Sequence, residues 1–301
     1  MRKHLIYTVS WGAEYHFELV AEWARGIRAA GFTGDVIVLS DREFDIPTAR
    51  TIVCGWMTPS QLWKAAIKTA IDCKEYDKIL FLDSDIPMLQ NPNLFFELEG
   101  IQIPLEPITI RKSGLNATFL KVDELEKYGE DYSFNAGTML MPGYLADKFL
   151  TEFESVWSQV EWRSKEDFWP QTKTYKGQMY DQGILQAMIC RKMFSVMPEI
   201  MPKSFIGFPA WGDGMGCIAL HLCGLQHNSQ NKKSILDYMV MLRDPTKAAE
   251  VISKMKSMAN PLVNMEKNIE IIFKNIVTLL NEVNALTKKV QRLEQEKEVM
   301  A

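Results

Sequence analysis

The stretch Lys78-Ile79-Leu80-Phe81-Leu82-Asp83-Ser84-Asp85-Ile86 constrains this chain more than any other. An unbroken apolar run of strand length offers no polar face to water, so it belongs in a sheet covered on both sides, as parallel strands are. Two carboxylates at the carboxyl end of such a strand are costly to bury unless a cation or hydrogen bonds compensate them. A hard divalent cation carrying a diphosphate is the natural partner for that pair. Ligands of open α/β sheets sit beyond the carboxyl ends of the strands, which is where this pair falls.

The neighbouring segments agree with a sheet of that kind. Residues 5–9 read as a first strand, followed by a helix with Phe17, Val20, Trp23, Ala24 and Ile27 on one face and Gly31 at its end. Residues 35–39 form a second expected strand and 51–54 a short third; 59–72 read as a helix carrying Leu62, Trp63, Ala66 and Ile67. Strands alternating with helices predict an α/β fold with a Rossmann-like, mostly parallel sheet flanked by helices. The segments 9–11 and 83–85 would then face one crevice. Residues 101–131 are mixed and charged, expected as a lid or an inserted hairpin, before 134–141 returns to an apolar strand. A surface loop with binding character is expected over 161–180, and a turn-rich loop over 208–214 leads to a last strand at 218–222. Trp162, Trp169 and Trp211 in these loops are candidates to stack on a sugar ring.

The 301 residues suffice for one large α/β domain with an appendage. Lys+Arg 34 against Asp+Glu 38 leaves a formal net charge of -4 with no basic stripe, which disfavours a nucleic-acid partner. Cys54, Cys73, Cys190, Cys217 and Cys223 are odd in number and lack C-x-x-C spacing, so free thiols in a reducing compartment are expected. Arg2 and Lys3 precede an apolar run that ends at Ser10, a core strand rather than a signal peptide or membrane anchor. A soluble, cytoplasmic protein with no membrane span follows from these features.

The C-terminal end changes character. Ile269, Ile272, Ile276, Leu279, Val283, Leu286, Val290 and Leu293 alternate three and four residues apart. β-Branched residues hold the a positions Ile269, Ile276, Val283 and Val290, with Lys297 breaking the pattern near the end, and Leu fills d from Leu279 onward, the choice that favours a parallel two-stranded coiled coil. Lys289 at g can reach Glu294 at e of a partner chain, whereas Phe273 and Leu280 at e widen the stripe and keep higher oligomers, or packing against the chain's own domain, open. The expected organisation is a catalytic domain over 1–235, a helical connector over 236–260, and an oligomerisation helix over 261–301, with a homo-oligomer, a parallel dimer, formed through 269–300.

Four short segments carry chemistry. The D-x-D of Asp83 and Asp85 is the first. Phe134-Asn135-Ala136-Gly137 is the second: a small-residue turn with an amide suits close backbone approach to a hydroxylated ligand. In Tyr180-Asp181-Gln182-Gly183-Ile184-Leu185 a polar pair precedes an apolar helix, either capping it or holding sugar hydroxyls. In Ala219-Leu220-His221-Leu222-Cys223-Gly224 a histidine ends an apolar strand; beside two carboxylates its imidazole becomes a third metal ligand, and a mixed N/O set suits Mn²⁺ better than Ca²⁺.

These segments, in this order, resemble the glycogenin-like retaining glycosyltransferases (glycosyltransferase family 8), from the first strand to His227, most specifically in FLDSD, FNAG, DQGIL and HLCG. The resemblance implies a GT-A fold, a UDP-sugar donor, a glycan or protein hydroxyl acceptor, and Mn²⁺ as cofactor with Mg²⁺ as the alternative. It places the metal on Asp83, Asp85 and His221, uracil and ribose near Val9 and Tyr15, and donor contacts on Lys64, Asp83, Ser84, Asn135, Gly137 and Gly224. Asp181 and Gln182 take the catalytic positions. Two departures stand out: Trp11-Gly12 replaces Thr-Asn-like residues after the first strand, and His227 stands where the family places a diphosphate-binding Lys. A neutral His binds phosphate less strongly than Lys. Two other readings are weighed: a sugar-nucleotide pyrophosphorylase, for which Ser10-Trp11-Gly12-Ala13-Glu14 lacks the Gly-rich, Arg-containing loop, and a non-catalytic nucleotide-sugar or carbohydrate-binding assembly protein.

Overall fold

The computed structural model describes residues 3–11, 14–55, 62–113, 119–159, 180–209, 216–222, 232–244, 246–247 and 249–253. The expected coiled coil and Trp162, Trp169 and Trp211 lie outside the described residues. Among the described residues no helix is long and apolar enough to cross a membrane, and Cys54, Cys73, Cys190 and Cys217 are free thiols.

The chain begins with β1 (His4–Ser10), α1 (Glu14–Ala29), β2 (Asp35–Ser40), β3 (Arg50–Val53), a 3-10 turn (Trp63–Ala66) running into α2 (Ile67–Ala70), and β4 (Lys78–Leu82). It continues through β5 (Gln102–Ile103), β6 (Leu105–Thr109), α3 (Val122–Tyr128), β7 (Tyr132–Phe134), β8 (Thr138–Pro142) and α4 (Gly143–Gln159). After α5 (Tyr180–Cys190) come β9 (Glu199–Ile200), β10 (Ile206–Gly207), β11 (Ala219–Leu220) and α6 (Lys232–Leu242).

Seven strands form the central sheet in the order β3-β2-β1-β4-β8-β5-β9. β3, β2, β1 and β4 are parallel, and β8 runs antiparallel to both β4 and β5. β4 is buried along its whole length, as its apolar run requires. Side-chain alternation sorts the sheet into two layers. Ile6, Val38, Leu80 and Leu140 face α1, which contributes Val20, Trp23 and Ile27, with Ile235, Met239 and Leu242 of α6 behind it. Leu5, Tyr7, Ile79, Phe81 and Met139 face α4, through Phe149 and Phe153, and α5, through Ile184 and Leu185. α1 stops at Gly31, whose φ of +91° suits glycine, and Phe32 N then bonds back to Ile27 O at 3.3 Å.

Two expectations change in the structure. Of the helix expected over 59–72, the described part is a single 3-10 turn followed by one α turn, and Ile71 is already extended (φ -146°, ψ 165°). The apolar spacing there reflects burial of Leu62, Ala65 and Ile67 beneath the sheet rather than a long helix. The segment 101–131 also divides. β5 joins the central sheet, whereas β6 pairs antiparallel with β7 in a separate ribbon, with α3 in the connection between them.

Candidate active site

Because β1 and β4 are parallel neighbours, with Tyr7 opposite Phe81, their carboxyl ends open at one edge of the sheet. Asp83 follows β4 there, and a turn closed by Ile86 N to Asp83 O (3.1 Å) carries Ser84 and Asp85 around it. The antiparallel β8 starts at the same edge, so Gly137 O accepts from Asp83 N at 2.8 Å. The FNAG turn therefore lies against the acidic pair because of strand direction.

The histidine arrives by a different route. Beyond Asp85 the chain runs alongside β11: Met88 bridges Ala219, Leu220 N bonds Pro87 O (3.2 Å), and Leu222 N bonds Asp85 O (3.1 Å). His221 is 4 % exposed. Its Nε2 stands 3.5 Å from Asp85 Oδ1 and 3.8 Å from Asp83 Oδ2. One ligand atom from each of Asp83, Asp85 and His221 lies within 4.8 Å of the other two.

Two carboxylates and an imidazole converging from separate segments fit a divalent metal of intermediate softness. Space has been kept for it: a Cβ on Gly137 would stand 2.5 Å from Asp83 Oδ2 and 2.6 Å from His221 Cε1. The Asp83 side chain still opens 42 % of its surface into the crevice. Even so, the surrounding protein raises its carboxyl to about 6; burial is the main cause, Lys64 opposes it, and Asp85 adds to it. An acidic pair this close together gains from a bound cation.

A second cluster adjoins the first. Lys64 enters from the 3-10 turn, anchored by Tyr7 Oη donating to its carbonyl at 2.9 Å. Its ammonium lies 2.5 Å from Asp181 Oδ2 and donates to Ala136 O at 2.7 Å. Asp181 and Gln182 both lie in the first turn of α5. Asp181 thus spends its carboxylate on Lys64 rather than as an N-cap.

The side chain of Glu106, on β6, was not singled out in the sequence and proves central. It is 6 % exposed, and its Oε1 accepts from Asn135 Nδ2 at 2.7 Å and from Gln182 Nε2 at 2.9 Å. Burial pushes its carboxyl up while these two bonds pull it down. A carboxylate only accepts, so it turns both amide NH₂ groups toward itself. Asn135 Oδ1 is then left to accept from Gly137 N at 2.9 Å. One turn along α5, Gln186 accepts from Phe134 N at 2.9 Å, fixing the helix against the FNAG segment.

The structure thus brings together Lys64, Asp83, Ser84, Asp85, Asn135, Gly137, Asp181, Gln182 and His221. Val9 sits partly buried near the end of β1. Gly224 and His227 lie outside the described residues, as does the side chain of Tyr15.

No family model matches the sequence. An Arabidopsis thaliana protein named UDP-glucuronate:xylan alpha-glucuronosyltransferase 3 is 25 % identical over 169 residues, 49 % of this chain and 26 % of that protein. The matched region thus spans about a quarter of that relative's length. Among solved structures, the galactosyltransferase LgtC in complex with donor and acceptor sugar analogs superposes with a TM-score of 0.52 at 13 % identity, over 79 % of this chain and 95 % of LgtC. An active-site mutant of LgtC gives 0.50 at 12 % identity, over 77 % and 94 %. The fold is that of the GT-A glycosyltransferases.

Proposed function

We propose that this chain is a metal-dependent, retaining glycosyltransferase that moves a hexose from a UDP-sugar to a hydroxyl of a glycan or protein acceptor. The observation that carries this reading is the meeting of Asp83, Asp85 and His221 at the carboxyl edge of a GT-A sheet, with Gly137 leaving room among them. The two LgtC structures and the glucuronosyltransferase relative support the same direction.

Asp83, Asp85 and His221 would hold Mn²⁺, with Mg²⁺ as the alternative; the ion supplies positive charge to a departing diphosphate. Gln182 and Asn135, oriented by Glu106, form the polar wall against which sugar hydroxyls can be held. Retention requires the acceptor to arrive on the face that the leaving group vacates, or a covalent intermediate on a carboxylate beneath the anomeric carbon. Asp181 is the candidate nucleophile, but its carboxylate is held in an ion pair with the buried Lys64, which ties it to that partner instead of leaving it to attack. The front-face route is therefore the better fit: the acceptor proton passes to the leaving phosphate oxygen while Asp181 and Gln182 position the sugar. The free thiols of the described cysteines fit the cytoplasmic setting proposed with this activity.

The Asp85→Ala variant tests this directly. It should abolish metal-dependent binding of UDP-sugars and lower UDP release at least roughly 100-fold, as removal of a key electrostatic group does. Undiminished turnover in that variant would end the assignment. Release of pyrophosphate in place of UDP would turn it toward a pyrophosphorylase.

A further inference from the structure

We infer that this crevice selects a donor whose sugar is electrically neutral, a hexose or pentose, over one that carries a carboxylate, such as a uronic acid. The inference rests on the glycosyltransferase reading and adds the class of donor sugar.

The argument is one of charge and of spent donors. Four carboxylates line the described crevice. Asp83 is within electrostatic reach of Asp85, Asp181, Lys64 and His221, and Glu106 is within reach of His221. A sugar carboxylate would need a cation here, and among the described residues Lys64 is the candidate. Its ammonium, however, is enclosed (the residue is 7 % exposed) and each of its directions is taken. Asp181 Oδ2 lies at 2.5 Å, Ala136 O at 2.7 Å, and the Phe81 ring centroid at 4.6 Å. An ammonium has three N–H donors, and these partners absorb them. Turning Lys64 toward a uronate would leave the half-buried Asp181 unpaired near Asp83, a costly way to break such a pair.

The neighbouring amides offer no substitute. Gln182 Nε2 and Asn135 Nδ2 already point at Glu106. Hydroxyl groups suit this wall far better, because each can donate to a carboxylate or carbonyl oxygen while accepting elsewhere. A neutral sugar presents many such donors, whereas a uronate replaces one of them with a pure acceptor and adds a like charge. The curated relative is named for a uronate donor; the charges around Lys64 point this chain the other way.

Calorimetric titration of the Mn²⁺-loaded full-length protein with UDP-glucose, UDP-galactose, UDP-xylose and UDP-glucuronate, against UDP as baseline, tests this. At least one neutral donor should bind roughly tenfold or more tighter than UDP-glucuronate, as a like charge a few ångströms away in a partly desolvated site implies. UDP-glucuronate should bind no tighter than UDP. Asp181→Asn removes one negative charge beside Lys64 and should shrink the neutral-to-uronate ratio by roughly fivefold or more, whatever happens to absolute affinity. A general loss of packing would weaken all four donors alike and leave that ratio unmoved. UDP-glucuronate binding as tightly as the best neutral donor overturns the inference, and so does an unchanged ratio in Asp181→Asn. Binding of UDP with the wrong sugar ranking sinks this inference alone, whereas failure to bind UDP or any UDP-sugar sinks the glycosyltransferase reading and this one with it.

Discussion

A single methyl group is the smallest side chain Gly137 could gain, and the site has no room for it. The added Cβ would stand 2.5 Å from Asp83 Oδ2 and 2.6 Å from His221 Cε1, so two of the three candidate metal ligands would have to move apart. Gly137→Ala should therefore weaken Mn²⁺ binding at least roughly tenfold, while the crowding costs the metal-free fold only about 1–3 kcal/mol. Titration of Mn²⁺ by calorimetry, beside thermal melts without metal, separates the two effects; wild-type affinity in the variant would remove Gly137 from the account. The residues at this scale were legible in the sequence where chemistry concentrated them into short strings, as in the acidic pair, Asn135-Ala136-Gly137 and Asp181-Gln182. Glu106 was not, since it is one acid in the mixed stretch Leu105-Glu106-Pro107-Ile108-Thr109. Its burial comes from partners on two other elements, β7's continuation and α5, which no local pattern reveals. The one available signal was alternation, which puts Glu106 on the inner face of a strand whose other positions are at least partly open.

At the scale of elements, the β6–α3–β7 unit is fastened to α5 at both ends of that helix. Gln182 meets Glu106 at the amino end, and beyond the carboxyl end Arg191 grips Glu124 in two-pronged fashion, at 2.7 and 2.8 Å, and also donates to Phe119 O at 2.8 Å. The hydrogen bonds from Arg191 hold the Glu124 carboxyl down at about 2. Since a free Glu titrates near ~4.3, the pair contributes its full share above that pH and loses it as the pH falls toward about 2. Arg191→Leu should cost about 1 kcal/mol at pH 6, allowing for solvent screening at this surface, and the gap between variant and wild type should close as urea melts are taken from pH 5 down to pH 2.5. A gap that stays constant over that range would mean the guanidinium acts by packing alone. Elements with a strong period were readable in advance: β1, α1, β2 and β4 fall where their apolar patterns put them. The short helix at 67–70 and the division of β5 from β6 were not, because tertiary partners, not local periodicity, set where those segments end.

Across the whole molecule, the described core extends as far as Ile252, ahead of the heptad pattern. Val251 and Ile252 are buried with the α1 and α6 residues of the first layer, and Arg243 pairs with the buried Glu22 of α1 to tie the end of that region down. We propose that the apolar stripe from Ile269 to Leu293 covers itself by self-association. A parallel copy of the same helix would satisfy its β-branched a positions and Leu-rich d positions. Sedimentation of the full chain should give a dimer, and the chain ending at residue 260 should sediment as a monomer with donor affinity unchanged. If the stripe instead packs on its own domain, the full chain will sediment as a monomer, and truncation will lower its melting temperature by exposing the surface the stripe had covered. A stable, unaltered monomer both before and after truncation would remove self-association from the account.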